Sequence, residues 1–421
     1  MAWDKTLLFM KNIEIELLSP AGSWESLNAA MQAGADAIYF GVGALNMRAK
    51  GSMNFSVADI PEIAALCRSK GVRSYLTLNT ILYDHDLILA REIIDQAKFS
   101  GIDAVIAFDI TAIMYAHEAG IPVHISTQAN ITNAGSVKFF SAYADVMVLS
   151  RELTLEQVGL ISQAIRRNNI CGPSGRQVKL EIFAHGALCM AVSGKCYMSL
   201  HTDFSSANRG ACVQNCRRKY TVRDQESGAE FAIENEYIMS AKDLCTIGFL
   251  DKVVASGISV LKIEGRGRAE EYVYTVTKCY REALDAIADG TYSRTKIEDW
   301  ESRLATVFNR GFWDGYYLGR KLGEWHTTDG SAATQKKIYV GKAMHYYSKA
   351  MVAEIRLDAG QLKLGDQLMI SGPTSGVQFA VVDEMRMLDR QVDHAQKGDV
   401  ISIPLKQKVR ESDKVYKLVA R

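Results

Sequence analysis

From residue 14 onward, short runs of β-branched and apolar residues alternate with longer stretches in which apolar positions recur every three or four residues. The short runs, at 15–18, 37–41, 73–79, 104–108, 123–127, 146–150, 179–184 and 260–264, predict eight strands. Between them, segments such as SWESLNAAMQAG, LILAREIIDQAKFSG and TAIMYAHEAG carry helical spacing. Several end in Gly, the residue that tolerates the left-handed helix cap. Eight strands, mostly followed by helices, predict an α/β fold: a parallel, closed TIM-like (β/α)8 barrel. A doubly wound open sheet is the alternative. It would more often place a Gly-rich phosphate loop after its first strand, and here that strand runs into Ser19-Pro20-Ala21-Gly22.

Two connections are far longer than the two to six residues usual in such units. One is GVGALNMRAKGSMNFS, after the second strand; the other, about 185–240, follows the seventh. Both leave the C-terminal ends of strands, the face on which barrel enzymes build their sites. After the polar stretch GEWHTTDGSAATQKK, long helical periodicity stops, and alternating strands with turns at Ala359-Gly360, Gly365-Asp366 and Gly398-Asp399 take over. The expected domains are therefore 1–334, the barrel with its insertion, and 335–421, an all-β barrel.

Composition narrows the class. The 421 residues hold 49 Lys and Arg against 48 Asp and Glu, with 48% apolar residues, as in an ordinary soluble globular protein. No run approaches the roughly 18 apolar residues of a membrane span. The start, MAWDKTLLFMKN, has too short an apolar stretch for a secretory leader, so a cytoplasmic location and no membrane partner are expected. A net charge of +1 is neutral on nucleic acid; only local patches bear on it. Arg217-Arg218-Lys219 with Tyr220 beside them, and Lys406, Lys408 and Arg410, are two candidates, although such triplets are more often solvated faces.

Cysteine changes the picture more. Of eight, five fall between 189 and 245: Cys189, Cys196, Cys212, Cys216 and Cys245. In a reducing compartment this clustering points to metal or redox chemistry rather than disulfides. Thiolates are the soft ligands of zinc and of iron–sulfur clusters, and each needs about four. Zinc knuckles use a tight pair at each end, whereas only Cys212-x3-Cys216 is tight here, which leans towards iron–sulfur with zinc as the alternative. Cys67 and Cys279 lie in helical patterns and read as small buried hydrophobes.

The segment EIFAHGALCMAVSGKCYMS, with LLSPAG, YFGVGALNMRAKGSMNFS, STQANITN, SAKDLC and LKIEGRGRAEEYV, closely resembles the collagenase-like peptidase family, U32. The resemblance runs from about residue 16 to 275. It implies a four-iron four-sulfur cluster on Cys189, Cys196 and Cys212, with Cys216, or Cys245 in its KDLC setting, as the fourth ligand. One branch of the family hydroxylates the tRNA wobble uridine to 5-hydroxyuridine without molecular oxygen, with prephenate as cosubstrate; related branches act on ribosomal RNA cytidine or the ubiquinone ring. The C-terminal segment around KLGDQLMI resembles the second domain of elongation factor Tu, which favours the tRNA branch. The implied partners are tRNA and a small carboxylate, with room for a protein partner. A collagenase-like peptidase is the alternative. It would need a nucleophile and base such as Cys189 and His185, and thiols bound to a cluster cannot also serve as nucleophiles. The chain has neither GxSxG nor HExxH.

Strand-end residues complete the candidate site. Asn46 and Arg48 in the first long connection, Gln128 and Asn130 after the fifth strand, and Glu264 and Arg266 after the eighth are expected around one opening, where arginines suit a dicarboxylate. His185 and Glu264 are the candidates for proton transfer. Against this stands the plain alternative that such residues merely cap strand ends.

Overall fold

The computed structural model describes residues 14–421 except 51–54, 224, 229, 232–238, 320–322, 328–329 and 389. The N-terminal stretch considered as a leader, and part of the first long connection, lie outside the described residues.

Seven parallel strands follow one another around a barrel: β1 (Glu16–Pro20), β2 (Ala37–Gly41), β3 (Arg73–Leu78), β4 (Ala104–Ala107), β5 (Val123–Ile125), β6 (Val146–Val148) and β7 (Lys179–Ala187). The eighth barrel strand, Val260–Ile263, pairs in parallel with both β7 and β1 and closes it. The expected TIM-like fold is therefore present. Local chemistry sets the helices between strands. Ser23 and Thr154 close capping boxes at their helix starts, and Gly101 and Gly120 end theirs at φ of 75° and 74°. Apolar faces of these helices pack on the strands in a continuous core that includes Leu17, Phe40, Leu76, Ile94 and Leu261.

Several strands stop sooner than their apolar runs suggest. Ser126 precedes a tight turn at Thr127–Ala129, and Asn79, Phe108 and Ser150 already belong to the mouth loops. β7 runs longer because the chain, returning from the insertion, adds the short strand Asp243–Cys245 antiparallel to its end, with Cys245 opposite His185. The insertion carries the short helix Met198–Asp203 and tight turns at Ala207–Arg209 and Asn215–Arg217.

From Gln335 the chain forms an eight-stranded antiparallel sheet with its own apolar core, including Val340, Ile355, Leu368 and Ile401. It rests on the helices Trp24–Gln32 and Glu270–Ala288. Gln32 donates to Ser375 O (2.7 Å) and accepts from Val377 N (3.0 Å), while Lys337 bridges Glu270 and Glu271 at 3.0 and 2.7 Å. The all-β unit thus sits against the flank of the barrel.

Candidate functional site

The insertion folds over the barrel mouth because it is tied to the other long loop. Gly210 comes so close to the backbone of Asn46 that a Cβ there would stand 2.1 Å from Asn46 O, and Lys50 N donates to Gly210 O. Arg209 pairs with Asp86 and donates to Ile81 O (2.9 Å), which fixes the insertion to the loop after β3. These ties bring the thiols to the mouth.

Cys189, Cys212 and Cys216 line one cavity of about 120 Å³ together with Arg48, Arg217, Glu264, Arg268 and Arg310. Burial raises the Cys216 thiol above its ordinary range, Arg217 opposes this, and the charges of Cys189, Cys212 and Cys196 add to the rise, so all four thiols lie within electrostatic reach. Cys212 Sγ also accepts from Gln214 N (3.4 Å) and from Ser199 Oγ (3.8 Å). Cys245 stands apart: Tyr280 OH approaches its sulfur at 3.9 Å, and burial pushes its thiol up to about 12.

His185 does not face this cavity. It is buried among the rings of Tyr272, Tyr280 and Phe312, with Nδ1 3.4 Å from Tyr280 OH. Burial, aided by Arg268, holds it neutral, with a pKa lowered to about 3. The ring is thus part of the packing beside the return strand, away from the thiol-lined cavity.

A second, smaller pocket of about 90 Å³ opens beside the first and shares Arg48, Cys189 and Glu264 with it. Gln128 and Arg266 line it, as do Tyr39, Arg151 and Lys262, which the sequence pattern did not single out. Arg48 grips Glu264 through Nη2 (2.6 Å) and Nε (3.2 Å). Arg266 Nη1 donates to Asn46 Oδ1 (3.0 Å) and Thr77 Oγ1 (2.7 Å), an approach possible because Gly41 has no Cβ; one would meet that nitrogen at 2.5 Å. Asn46 and Asn130 act as pins. Asn46 is fully buried beneath Arg266, and Asn130 holds Gln128 O and Ser193 O at 2.8 and 3.3 Å.

Burial would raise the Glu264 carboxyl, but Arg48, Arg151 and Arg266 outweigh it and hold it at about 2; Tyr39 OH also approaches it, at 3.5 Å. A carboxyl whose folded pKa is depressed contributes stability above its unfolded value, lost as pH falls through the folded one. The urea-midpoint gap between wild type and Glu264→Gln should thus be constant above about pH 5 and narrow as pH falls towards 2.

Among the described residues, no group of three or more His, Cys, Asp or Glu is arranged to hold a single metal ion, and no helix is long and apolar enough to cross a membrane. Of the basic triplet, Arg217 turns inward to Leu188 O and Ala241 O, and Tyr220 donates to Asn215 O, whereas Arg218 and Lys219 are exposed. Lys406, Lys408 and Arg410 are exposed on the all-β unit.

Comparison with known proteins agrees with this architecture. The chain is 56% identical to a protein named collagenase from Porphyromonas gingivalis, over 97% of this chain and 99% of that one. It is 33% identical to a tRNA hydroxylation protein P of Helicobacter pylori, over 73% of this chain and 72% of that one. With a 23S rRNA 5-hydroxycytidine synthase of Escherichia coli it shares 36% identity over 73% of this chain and 46% of the other. The model of peptidase family U32 matches residues 22–327, and the chain belongs to that family.

Proposed function

We propose that this protein is an RNA hydroxylase that converts the tRNA wobble uridine to 5-hydroxyuridine without molecular oxygen, with an iron–sulfur cluster on Cys189, Cys196, Cys212 and Cys216 and prephenate as cosubstrate. The observation that carries the reading is the thiol-lined cavity opening beside a pocket of cationic side chains. Four soft donors suit iron–sulfur chemistry. A structural zinc knuckle usually takes a tight pair of thiols at each end; only Cys212 and Cys216 are so spaced here, which leans towards a cluster. When bound, the cluster would supply one-electron chemistry beside the cosubstrate. Arg48 and Arg266 present guanidinium groups to a carboxylate, and Glu264 keeps Arg48 oriented.

Tyr197 and Phe204, strongly exposed on the insertion near Lys195 and Arg218, offer stacking surfaces for unpaired bases. An anticodon loop is already single-stranded, so its wobble base reaches a recessed site without the cost of leaving a duplex. The relatives named for tRNA and rRNA hydroxylation support this class of substrate.

The collagenase-named relative favours a peptidase as second reading. Its chemistry lacks support at the mouth: no His lines either pocket among the described residues, and the buried His185 is held by Tyr280. Anaerobically purified protein should be brown and contain iron and sulfide in near-equal amounts. Stoichiometric zinc without iron would overturn the cluster.

A further inference from the structure

TIM-barrel interiors are usually filled by branched apolar side chains. In this barrel the inward position on the eighth strand is Lys262, with Glu181 of β7 beside it; Nζ and Oε1 are 2.8 Å apart, and the side chains are 6% and 0% exposed. A buried ion pair gains little stability over apolar residues of the same volume, because desolvation offsets the attraction. Stability therefore does not explain the pair.

Its position suggests another role. Lys262 lines the smaller pocket together with Arg48, Arg151, Arg266 and Glu264, whereas Glu181 lies behind it. The ammonium has three protons, and the hydrogen bond to Glu181 uses one. Nζ also lies 4.4 Å from the centre of the Tyr39 ring, whose hydroxyl is committed to Ile263 O at 2.8 Å. Arg151 stacks over Phe183 at 3.8 Å, donates Nη1 to Ala187 O at 2.9 Å, and its buried Nε has no partner. Glu181 Oε2 is likewise buried without a partner. With Glu264 and Glu181 as the carboxylates of this group, its four cations leave two positive charges over. Their placement is graded, with Arg48 and Arg266 towards the mouth loops and Lys262 within the barrel.

We infer that Lys262 is the inner contact of this pocket, held in place by Glu181, and that it takes the second acidic group of a small dicarboxylate whose first is held by the arginines. Lys262 is then a specificity residue that separates dianions from monoanions of similar shape, and Glu181 is a positioning residue. This rests on the carboxylate-cosubstrate reading above and adds which end of the ligand is read, and by what.

The test uses anaerobically purified full-length protein and calorimetric titration with prephenate and with the monocarboxylate phenylpyruvate. Lys262→Met alone leaves Glu181 buried and unpaired, which destabilises the barrel, so Lys262→Met/Glu181→Gln is the informative variant, with circular dichroism and thermal melting to confirm its fold. A charge-assisted hydrogen bond lost from a buried site should weaken prephenate binding roughly 10- to 100-fold. Phenylpyruvate binding should change little, so the preference for the dianion collapses; a purely structural role for the pair would leave that preference intact. Wild-type preference retained in a folded double variant overturns the role of Lys262. Failure of wild type to bind prephenate overturns the cosubstrate reading, and this inference with it.

Discussion

Alanine at Cys189, Cys196, Cys212 or Cys216 should remove the iron–sulfur absorbance and the RNA product together, while Cys245→Ala should keep both. Place separates the two groups. Cys189, Cys212 and Cys216 line the same cavity, and Cys196 is near enough for its charge to bear on Cys216. Burial raises the Cys216 thiol, and the adjoining Arg217 opposes that rise. Cys245 lies opposite His185 on the return strand, with its thiol pushed up to about 12 by burial, and so stays protonated at neutral pH. Iron and sulfide per chain, measured anaerobically, separate the two groups of variants. For the four cavity cysteines we expect near-complete loss of iron; for Cys245→Ala, iron within about a fifth of wild type. Retained iron in Cys216→Ala with loss in Cys245→Ala would exchange the fourth ligand and require the return strand to move.

Much of the barrel is legible in the sequence because its parallel strands are buried on both faces and read as short apolar runs separated by capped helices. Strand ends are less legible. The polar residues that continue the runs, such as Asn79 and Ser150, are the ones that leave the sheet to build the mouth. The return strand Asp243–Cys245 is three residues long and pairs against the barrel's direction, so no run announces it. Its absence from the pattern also left the fourth thiol open between Cys216 and Cys245, a choice that rests on tertiary position alone.

The site shows the same division. Arg48, Gln128, Glu264 and Arg266 could be placed at the mouth because each closely follows a strand or lies in a long connection. His185 satisfies the same rule, yet packs inward, because Tyr280 of the helix Glu270–Ala288 and Phe312 of a later strand close over its ring, and the return strand pairs beside it. Arg151 follows the sixth strand directly, and Lys262 is a lone charge inside an apolar strand; both signals were present in the sequence and needed the closed barrel to give them meaning. Arg268 and Arg310, paired with Asp243 at 3.9 and 3.5 Å and both over the Phe308 ring, come from separate segments that meet only in the folded chain.

The second large effect is on the RNA itself. With the thiols on the barrel face shared by Arg48 and Arg266, a base reacting under the proposed activity would enter from the mouth. Binding through so few exposed cations should be weak and salt-sensitive, with Arg218, Lys219 and the lysines of the all-β unit as contributors. The product of the proposed reaction, by contrast, would be permanent and would accumulate in the cell's tRNA. Mass spectrometry of total tRNA nucleosides, from a strain lacking this protein and from the same strain complemented with wild type or Cys189→Ala, therefore tests the central claim most directly. 5-Hydroxyuridine and nucleosides built on it should fall to background on deletion, where no second enzyme makes them, return with wild type, and stay absent with Cys189→Ala. Unchanged 5-hydroxyuridine in the deletion strain, together with cleavage of denatured collagen by purified protein that Cys189→Ala abolishes, would contradict that claim and assign the thiols to hydrolysis.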